Sequence, residues 1–591
     1  MRALVDIETD GLSDATRIWC ISVIDIDTEQ EYFYGPDELD KFVGLSMGIT
    51  HYVGHNFLTF DREKLDKFLN IQIPTAMIED TLILSRLVCS GLMFKHSLEA
   101  WGEKLGYPKV VHEDWSQYSP EMKIRCVEDT RLNLLVYKYL KKELVKFSPK
   151  CQELEHQVQE ILNEQKQNGF HLNIEEVYRL HLQCKDKADA IEAEIHTAFP
   201  PHLVLQDTYT PKYNKEGKMF KKSNEIIASY GAHARWLKDG TVELYTLAPF
   251  NLGSPKQIIE RLDEAGWAPR VKTKAGNPQL CEENLDTLKP TAPPAARKLI
   301  EWWMLRNRCT VMEGWLDAYN PITGCIHGTV IGLGAITHRM AHYDPQMANI
   351  PAVRNPYGTE LRSCLGIGTN PDYVQLGVDI SGIQLCILAH YLNDPKYTEA
   401  IANGKSKLGT DVHSMNMRIL QEVHPPVDRD AAKKFIYSML FGAGGYKLGL
   451  DMGAGAKEGN RAKKLLFARI PAFKRVQKMC EVAVKRGYMI GIDGRRVPVK
   501  SEHYALSVYL QCGEAIVMKQ ALVFTRERAK HLDWKQMAVV HDEVQSRVRK
   551  EQAEELASIM INAIIDAGKL FQLRCPLNGN YSIGQNWSET H

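Results

Sequence analysis

Hydrophobic positions near the start of the chain come in short runs without a helical period. Arg2–Thr9 is a brief apolar segment interrupted by Asp6 and Glu8. Residues i and i+2 of a strand project from the same face, so both carboxylates point to one side. Ile18–Ile26 reads as a second strand, antiparallel to the first, and Tyr52–Asn56 as a third. Asp61 then opens an amphipathic helix through Leu65, Phe68 and Leu69. Glu121–Leu144 is a long helical pattern with Asp129 in its first half.

In the C-terminal half, Tyr373–Val378 is an apolar strand that ends at Asp379, followed by Ser381-Gly382 and the helical run Ile383–Leu392. Pro425-Pro426 stops the preceding element, and Asp428 suits the N-cap of a helix that Gly442, Gly444 and Gly445 end. The apolar runs Met537–Val540 and Val544–Val548 are separated only by His541-Asp542-Glu543, which predicts a hairpin. Folding alone favours Asn-Gly or Asp-Gly in so tight a turn. Two adjacent anions at its tip repel unless a cation sits there, and a divalent ion with oxygen ligands is the usual candidate. A solvated acidic turn is the plain alternative.

Composition narrows the class. At 591 residues the chain is too long for one core, and roughly three to four domains are expected. Hydrophobic content of 44% with 25% charged residues describes a soluble globular protein. No apolar run approaches the ~18 residues of a membrane span, and the N-terminus lacks a signal-peptide pattern. The 13 cysteines contain no CxxC pair, which argues against a zinc cluster and a disulfide framework and for a reducing cytosolic compartment. Net charge is zero, with 73 basic and 73 acidic residues, but the charges are unevenly spread. Basic clusters fall at Lys433-Lys434, Arg461 to Lys464, Arg495-Arg496 with Lys500, and Lys215 to Lys222, so a nucleic-acid partner stays open.

In the predicted helix after Asp428, Arg429, Lys433, Tyr437 and Phe441 recur every four residues. Such a stripe drifts ~40° per step and climbs ~18 Å. Two cations near the positive end of a helix suit a triphosphate, and two aromatics further along could stack on sugar and base. A solvated basic start with a core-facing aromatic end fits the same spacing.

Two resemblances join these pieces. Asp6-Ile7-Glu8-Thr9, Gly54-His55-Asn56 to Asp61, and Val127-Glu128-Asp129 resemble, in this order, the 3′–5′ exonucleases of the ribonuclease-H-like fold. There, four carboxylates hold two metal ions ~3.5–4 Å apart, which implies Asp6, Glu8, Asp61 and Asp129 as ligands. That family usually places a Tyr four residues, or a His five residues, before the last Asp to orient water. Here those positions are Arg125 and Ile124, and a guanidinium cannot accept a proton. The exonuclease is therefore expected to be weakened or differently assisted.

The C-terminal half closely resembles the family A DNA polymerases. The matching pieces are Asp379-Ile-Ser-Gly-Ile-Gln-Leu, the Arg429–Gly442 helix, and Val540-His541-Asp542-Glu543-Val. Gly491-Ile-Asp-Gly-Arg-Arg-Val, Leu510-Gln511, Asn349-Ile350-Pro351 and Gly584-Gln-Asn-Trp587 extend the match. The nearest likeness is to the compact replicative polymerases of short-tailed bacteriophages. The implied architecture is α/β and multidomain: an exonuclease domain over 1–150, then a right-hand polymerase with an antiparallel palm sheet. The thumb would span 151–330 with an insertion near 207–250, the palm 331–420 and 491–591, and the helical fingers 421–490.

The resemblance assigns Asp379 and Asp542 to two Mg²⁺ ions, with Mn²⁺ as the alternative and Glu543 in support. Arg429, His413 and Lys433 would contact the triphosphate, Lys433 also as general acid for pyrophosphate. Arg339 and Gln511 would read the minor groove of primer-template DNA, His541 the primer end, and Tyr437 and Phe441 the dNTP. The family commonly has Glu where Gln384 stands and Tyr where Phe441 stands, a hydrogen-bonded pair beneath the sugar. Replacing both leaves no orphaned group, and Gln384 still excludes a 2′-hydroxyl by bulk. Tyr437 stands where Tyr, unlike Phe, admits dideoxynucleotides. Ser507 replaces a usual Asn and His338 a usual Gly, so the duplex contacts there differ from the family's.

In phage relatives an insertion in the thumb docks a host thioredoxin for processivity. The segment here is shorter and carries no docking motif that transfers, so it reads first as a DNA-contacting thumb tip and second as a processivity-factor site. A cytoplasmic monomer is expected, in the host cytosol if phage-encoded. The competing reading is a repair or degradative exonuclease whose polymerase half only binds duplex.

Overall fold

A computed structural model describes residues 1–12, 14–90, 95–269, 272, 276–280, 284 and 294–591. The chain divides into two compact units, one formed by 1–173 with 317–591 and the other by 174–316.

The first unit begins with a five-stranded sheet in the order Glu31–Tyr34, Ile18–Asp25, Arg2–Thr9, His51–Gly54, Ile78–Asp80. The first three strands are antiparallel, and the last two run parallel to the central one. Alternation along Arg2–Thr9 places Ala3, Val5 and Ile7 in one core and Leu4 in a second with Leu134 and Tyr137. The third strand in sequence is therefore Glu31–Tyr34, not Tyr52–Asn56. It is a half-exposed edge of four residues, too short to show alternation. Tyr52 belongs to a fourth strand that ends at Gly54, and Asn56 turns the chain with φ of 63°.

Helix Pro120–Leu144 starts where Ser119 accepts from the Met122 amide and a proline fills the first turn. Helix Pro149–Asn168 follows with the same Ser-Pro start. On one side its His156 accepts from the Asp80 amide at 2.8 Å and Glu160 pairs with Arg62 at 3.0 Å. On the other side Glu160 also pairs with Arg526 at 2.9 Å, and Gln165 accepts from Gln536 at 2.8 Å.

A second sheet, all antiparallel, runs Trp534–Val540, Glu543–Arg549, Tyr373–Ile380, Gly579–Gly584. Tyr373–Ile380 is buried along its length except at Asp379, because helix Ala553–Leu570 packs on the sheet and helix Glu502–Arg528 packs on that helix. Where helix 149–168 meets helix 502–528, four charges are sealed from solvent. Glu155 bonds Lys519 at 2.7 Å and Arg495 at 2.6 Å, and Arg495 also bonds Asp493 at 2.7 Å. Lys519 donates to the His338 carbonyl at 3.0 Å, fixing the backbone beside Arg339. Two cations face two carboxylates, so the cluster balances.

Helices Val412–Gln421, Arg429–Leu440, Gly445–Asp451, Ala456–Arg469 and Ala472–Arg486 complete this unit. In the second unit, Ile174–Ala198 and Pro294–Ala318 are its long helices. The stretch read as a polar thumb tip folds into strands His202–Tyr209, Ala234–Trp236 and Val242–Ala248 with helix Lys221–Tyr230. Among the described residues no helix is long and apolar enough to cross a membrane.

Candidate functional sites

The hairpin is tighter than its sequence suggested. Val540 pairs with Glu543, so only His541 and Asp542 form the loop, and His541 takes φ of 57°. Glu543 is the first residue of a strand, buried, and opposite Asp379. Its carboxylate accepts from Trp587 Nε1 at 2.5 Å, Gln545 Nε2 at 2.6 Å and His591 Nδ1 at 2.8 Å. Those donors outweigh burial and hold it below the usual carboxylate range. The expected pair of repelling anions at the tip is thus one loop carboxylate, Asp542, and one satisfied strand carboxylate.

Asp379 and Asp542 adjoin. The Ile380 amide donates to the Asp542 carbonyl at 3.0 Å, which ties the end of the central strand to the loop. Partial desolvation of its carboxylate lifts Asp379 to about 6 although the residue is the exposed one of its strand, with Glu543 adding to it. Burial lifts Asp542 to about 7, with Glu514 and Asp379 adding to it. Two carboxylates whose proton affinity is raised in one place could hold a divalent cation.

Asp428 caps the next element by accepting from the Ala431 amide at 2.7 Å. Ala432, Phe435, Ile436, Met439 and Leu440 are buried. On the other side Lys433 and Phe441 are exposed and Arg429 is half-buried, while Tyr437 is half-buried and packs against the core, so the aromatic end of the stripe is split between core and solvent. Arg429 bonds Asp411 at 3.0 Å, the N-cap of the helix bearing buried His413. The His413 ring lies 6.3 Å from that of Tyr437. Tyr437 is pushed to about 12 by burial and then by Asp542, which turns this helix toward the hairpin.

Glu514 escaped the sequence reading. It is buried one turn beyond Gln511, and it accepts from Arg339 Nη2 at 2.6 and 2.5 Å and from Gln384 Nε2 at 2.8 Å. Gln511 donates instead to Ser507 Oγ at 3.1 Å. Burial and then Arg339 hold His541 below its ordinary value. A lone glutamate inside a 27-residue, mostly buried helix gives no pattern by which to find it.

The N-terminal carboxylates gather in a separate cleft of ≈ 940 Å³ lined by Asp6, Glu8, Asp61 and Asp129 with Lys109 and Arg125. Ligand atoms of Asp6, Glu8 and Cys126 lie within 4.8 Å of one another. Asp61 accepts from the Ile7 amide at 3.2 Å. Burial, then mutual repulsion, lifts Asp6 to about 7 and Glu8 to about 9, and lifts Asp61 as well. Asp129 Oδ2 accepts from both Arg125 and Lys109 at 2.8 Å, while its buried Oδ1 meets no donor among the described residues. Lys109 and Cys126 were not anticipated, since both come from unremarkable polar or helical context. The donor set is oxygen-rich, crowded and short of positive charge, which suits divalent ions.

An antiparallel sheet bearing adjoining carboxylates, beside a helix that carries basic and aromatic side chains, fits a nucleotide-handling enzyme. Residues 221–589 match the model for DNA polymerase family A, and the chain belongs to that family. It is a DNA-directed DNA polymerase, a nucleotidyltransferase of DNA replication, and its family depends on metal ions. It is 28% identical to the DNA-directed DNA polymerase of Escherichia phage T7 and 28% identical to that of Enterobacteria phage T3, with 99% of each chain covered in both cases. It is also 28% identical to the thermostable DNA polymerase I of Thermus aquaticus over 58% of this chain and 43% of that one. Its fold is shared with the POL domain of Pol1 from M. smegmatis, solved in complex with DNA primer-template and dNTP. The TM-score there is 0.75 at 19% identity, covering 100% of this chain and 95% of the other.

Proposed function

We propose that the hairpin site extends primer-template DNA with dNTPs and that the N-terminal cleft proofreads the product as a 3′–5′ exonuclease. The observation that carries the first part is the adjoining pair Asp379 and Asp542, facing a helix that carries Arg429, Lys433, Tyr437 and Phe441. Asp379 and Asp542 would hold two Mg²⁺ ions, which when bound supply charge neutralisation at the primer 3′-oxygen and the triphosphate. Glu543 keeps the end of the central strand in register with the hairpin. Arg429, steadied by Asp411 through Nε and Nη2, keeps Nη1 for a phosphate oxygen. His413 contacts the same phosphates, and Lys433 Nζ gives its proton to the departing pyrophosphate. Tyr437 and Phe441 stack on the nucleotide, and Gln384 lies beneath its sugar. Arg339 and Gln511 meet the minor groove, and His541 meets the primer end.

The order of the N-terminal sheet, an antiparallel run of three strands ending at the strand that bears Asp6 and Glu8 and extended beyond it by two strands parallel to it, supports a ribonuclease-H-like exonuclease over 1–150. Asp6, Glu8, Asp61 and Asp129 would hold its ions. Arg125 binds Asp129 and cannot take a proton from water, so hydrolysis is slower than with a Tyr there. The thumb is assigned to 151–330, with the compact unit 174–316 inside it, and the enzyme is cytoplasmic, in the host cytosol if phage-encoded.

Extension of a labelled primer with dNTPs and Mg²⁺ tests both parts. Asp542→Ala should abolish extension while leaving primer degradation without dNTPs, and Asp6→Ala should do the reverse. Extension that survives Asp542→Ala overturns the metal assignment.

A further inference from the structure

The Arg339–Glu514–Gln384 cluster is unexplained by folding. Burying a carboxylate costs several kcal/mol unless donors surround it, and an apolar residue would serve helix packing better. Glu514 is 1% exposed, and both of its partners come from other elements. The close contact is arranged by Gly513. A Cβ there would lie 2.9 Å from Ile387, so the missing side chain lets helix Ile383–Leu392 approach helix Glu502–Arg528. That approach brings Gln384, in the first turn of the former, against Glu514 in the latter. The backbone of Arg339 is fixed independently, through the His338 carbonyl on buried Lys519.

A carboxylate only accepts, so the Gln384 amide has one allowed orientation: Nε2 faces Glu514 and Oε1 turns away. We propose that Glu514 is a positioning residue for sugar selection, locking Gln384 as a fixed wall beneath the nucleotide so that a 2′-hydroxyl finds no room. The proposal rests on the reading of the hairpin site above. Without Glu514 the Gln384 side chain rotates among its other conformers, and a ribonucleotide is admitted. The Glu514 charge raises the proton affinity of Asp542, so the cluster lies within electrostatic reach of the hairpin.

The test compares kcat/KM for a dNTP and its matching rNTP in single-nucleotide extension. Losing a hydrogen bond to a charged group amounts to roughly 10- to 100-fold, so Glu514→Gln should lower the dNTP/rNTP ratio by about that factor. The change should come mainly through a gain in rNTP efficiency. Gln384→Ala should lower the ratio too, and Glu514→Gln combined with Gln384→Ala should lower it no further. The exchange Gln384→Glu with Glu514→Gln keeps one carboxylate against one amide and should restore most of the ratio, which separates positioning from folding damage. An unchanged ratio in Glu514→Gln, or additive losses in the double variant, overturns the proposal. A raised Mg²⁺ requirement at constant ratio overturns it as well, making Glu514 a cation ligand. Failure of the site reading itself shows separately, as extension that survives Asp542→Ala.

Discussion

Replacing Glu155 with alanine removes one of two carboxylates from a cluster that no water reaches. Lys519 and Arg495 are both 0% exposed. After the substitution, Arg495 keeps Asp493, and Lys519 keeps only the His338 carbonyl. Breaking a buried ion pair from one side costs about 3–5 kcal/mol, because the partner is left charged and unpaired. Burial already holds Lys519 below its ordinary value, and Glu155 is the charge that most opposes that shift. The helix 502–528 should therefore open more often, and its amide hydrogen exchange should accelerate roughly 10²- to 10³-fold. Mass-spectrometric exchange on peptides from that helix reads this directly. Adding Lys519→Met to Glu155→Leu removes one cation with the carboxylate and leaves Arg495 balanced by Asp493, so protection should largely return. Exchange within tenfold of the parent in Glu155→Ala, or a double variant as fast as the single, would refute the charge-balance argument.

The remaining predictions concern the hairpin and the stripe. His541→Gly should stabilise the protein by about 1 kcal/mol, because a side chain at φ of 57° is strained, yet slow primer extension. No gain in thermal melting would show that the loop carries no strain. In EDTA, Asp379 and Asp542 hold protons more tightly folded than unfolded, at about 6 and about 7. A carboxyl raised in this way favours folding at low pH, and that advantage is lost as pH climbs from its unfolded value through its folded one. Metal-free stability should thus fall between about pH 4 and pH 7, and Asp542→Asn should flatten the fall; parallel curves would contradict it. Tyr437 should allow efficient chain termination by dideoxynucleotides, and Tyr437→Phe should suppress it. A parent enzyme that already rejects dideoxynucleotides rules this out.

What the sequence made legible depended on whether each residue's role had a period. Asp6 and Glu8 were readable because strand alternation is strict, and Asp61 because it starts a helix. The stripe from Arg429 to Phe441 was visible by its spacing, although which side faced solvent was not. Glu543 was misplaced because turn length is set by pairing register, and Val540 opposite Glu543 is a tertiary fact. Glu31–Tyr34 was missed because an edge strand buries too little to alternate. Glu514, Lys109 and Cys126 had no local signal at all, since each acquires its partners only when distant elements meet.

Helix 149–168 has a consequence for cutting the protein apart. Glu160 is shared by Arg62 from the N-terminal sheet region and Arg526 from helix 502–528, and Glu155 completes the sealed charge cluster. The helix is thus a common beam, not a linker. A truncation before it would strip His156 and Glu160 of their N-terminal partners, and one after it would strand Lys519 and Arg495. Single carboxylate substitutions address the hairpin site and the N-terminal cleft one at a time, whereas a cut on either side of this helix breaks ion pairs that hold both regions.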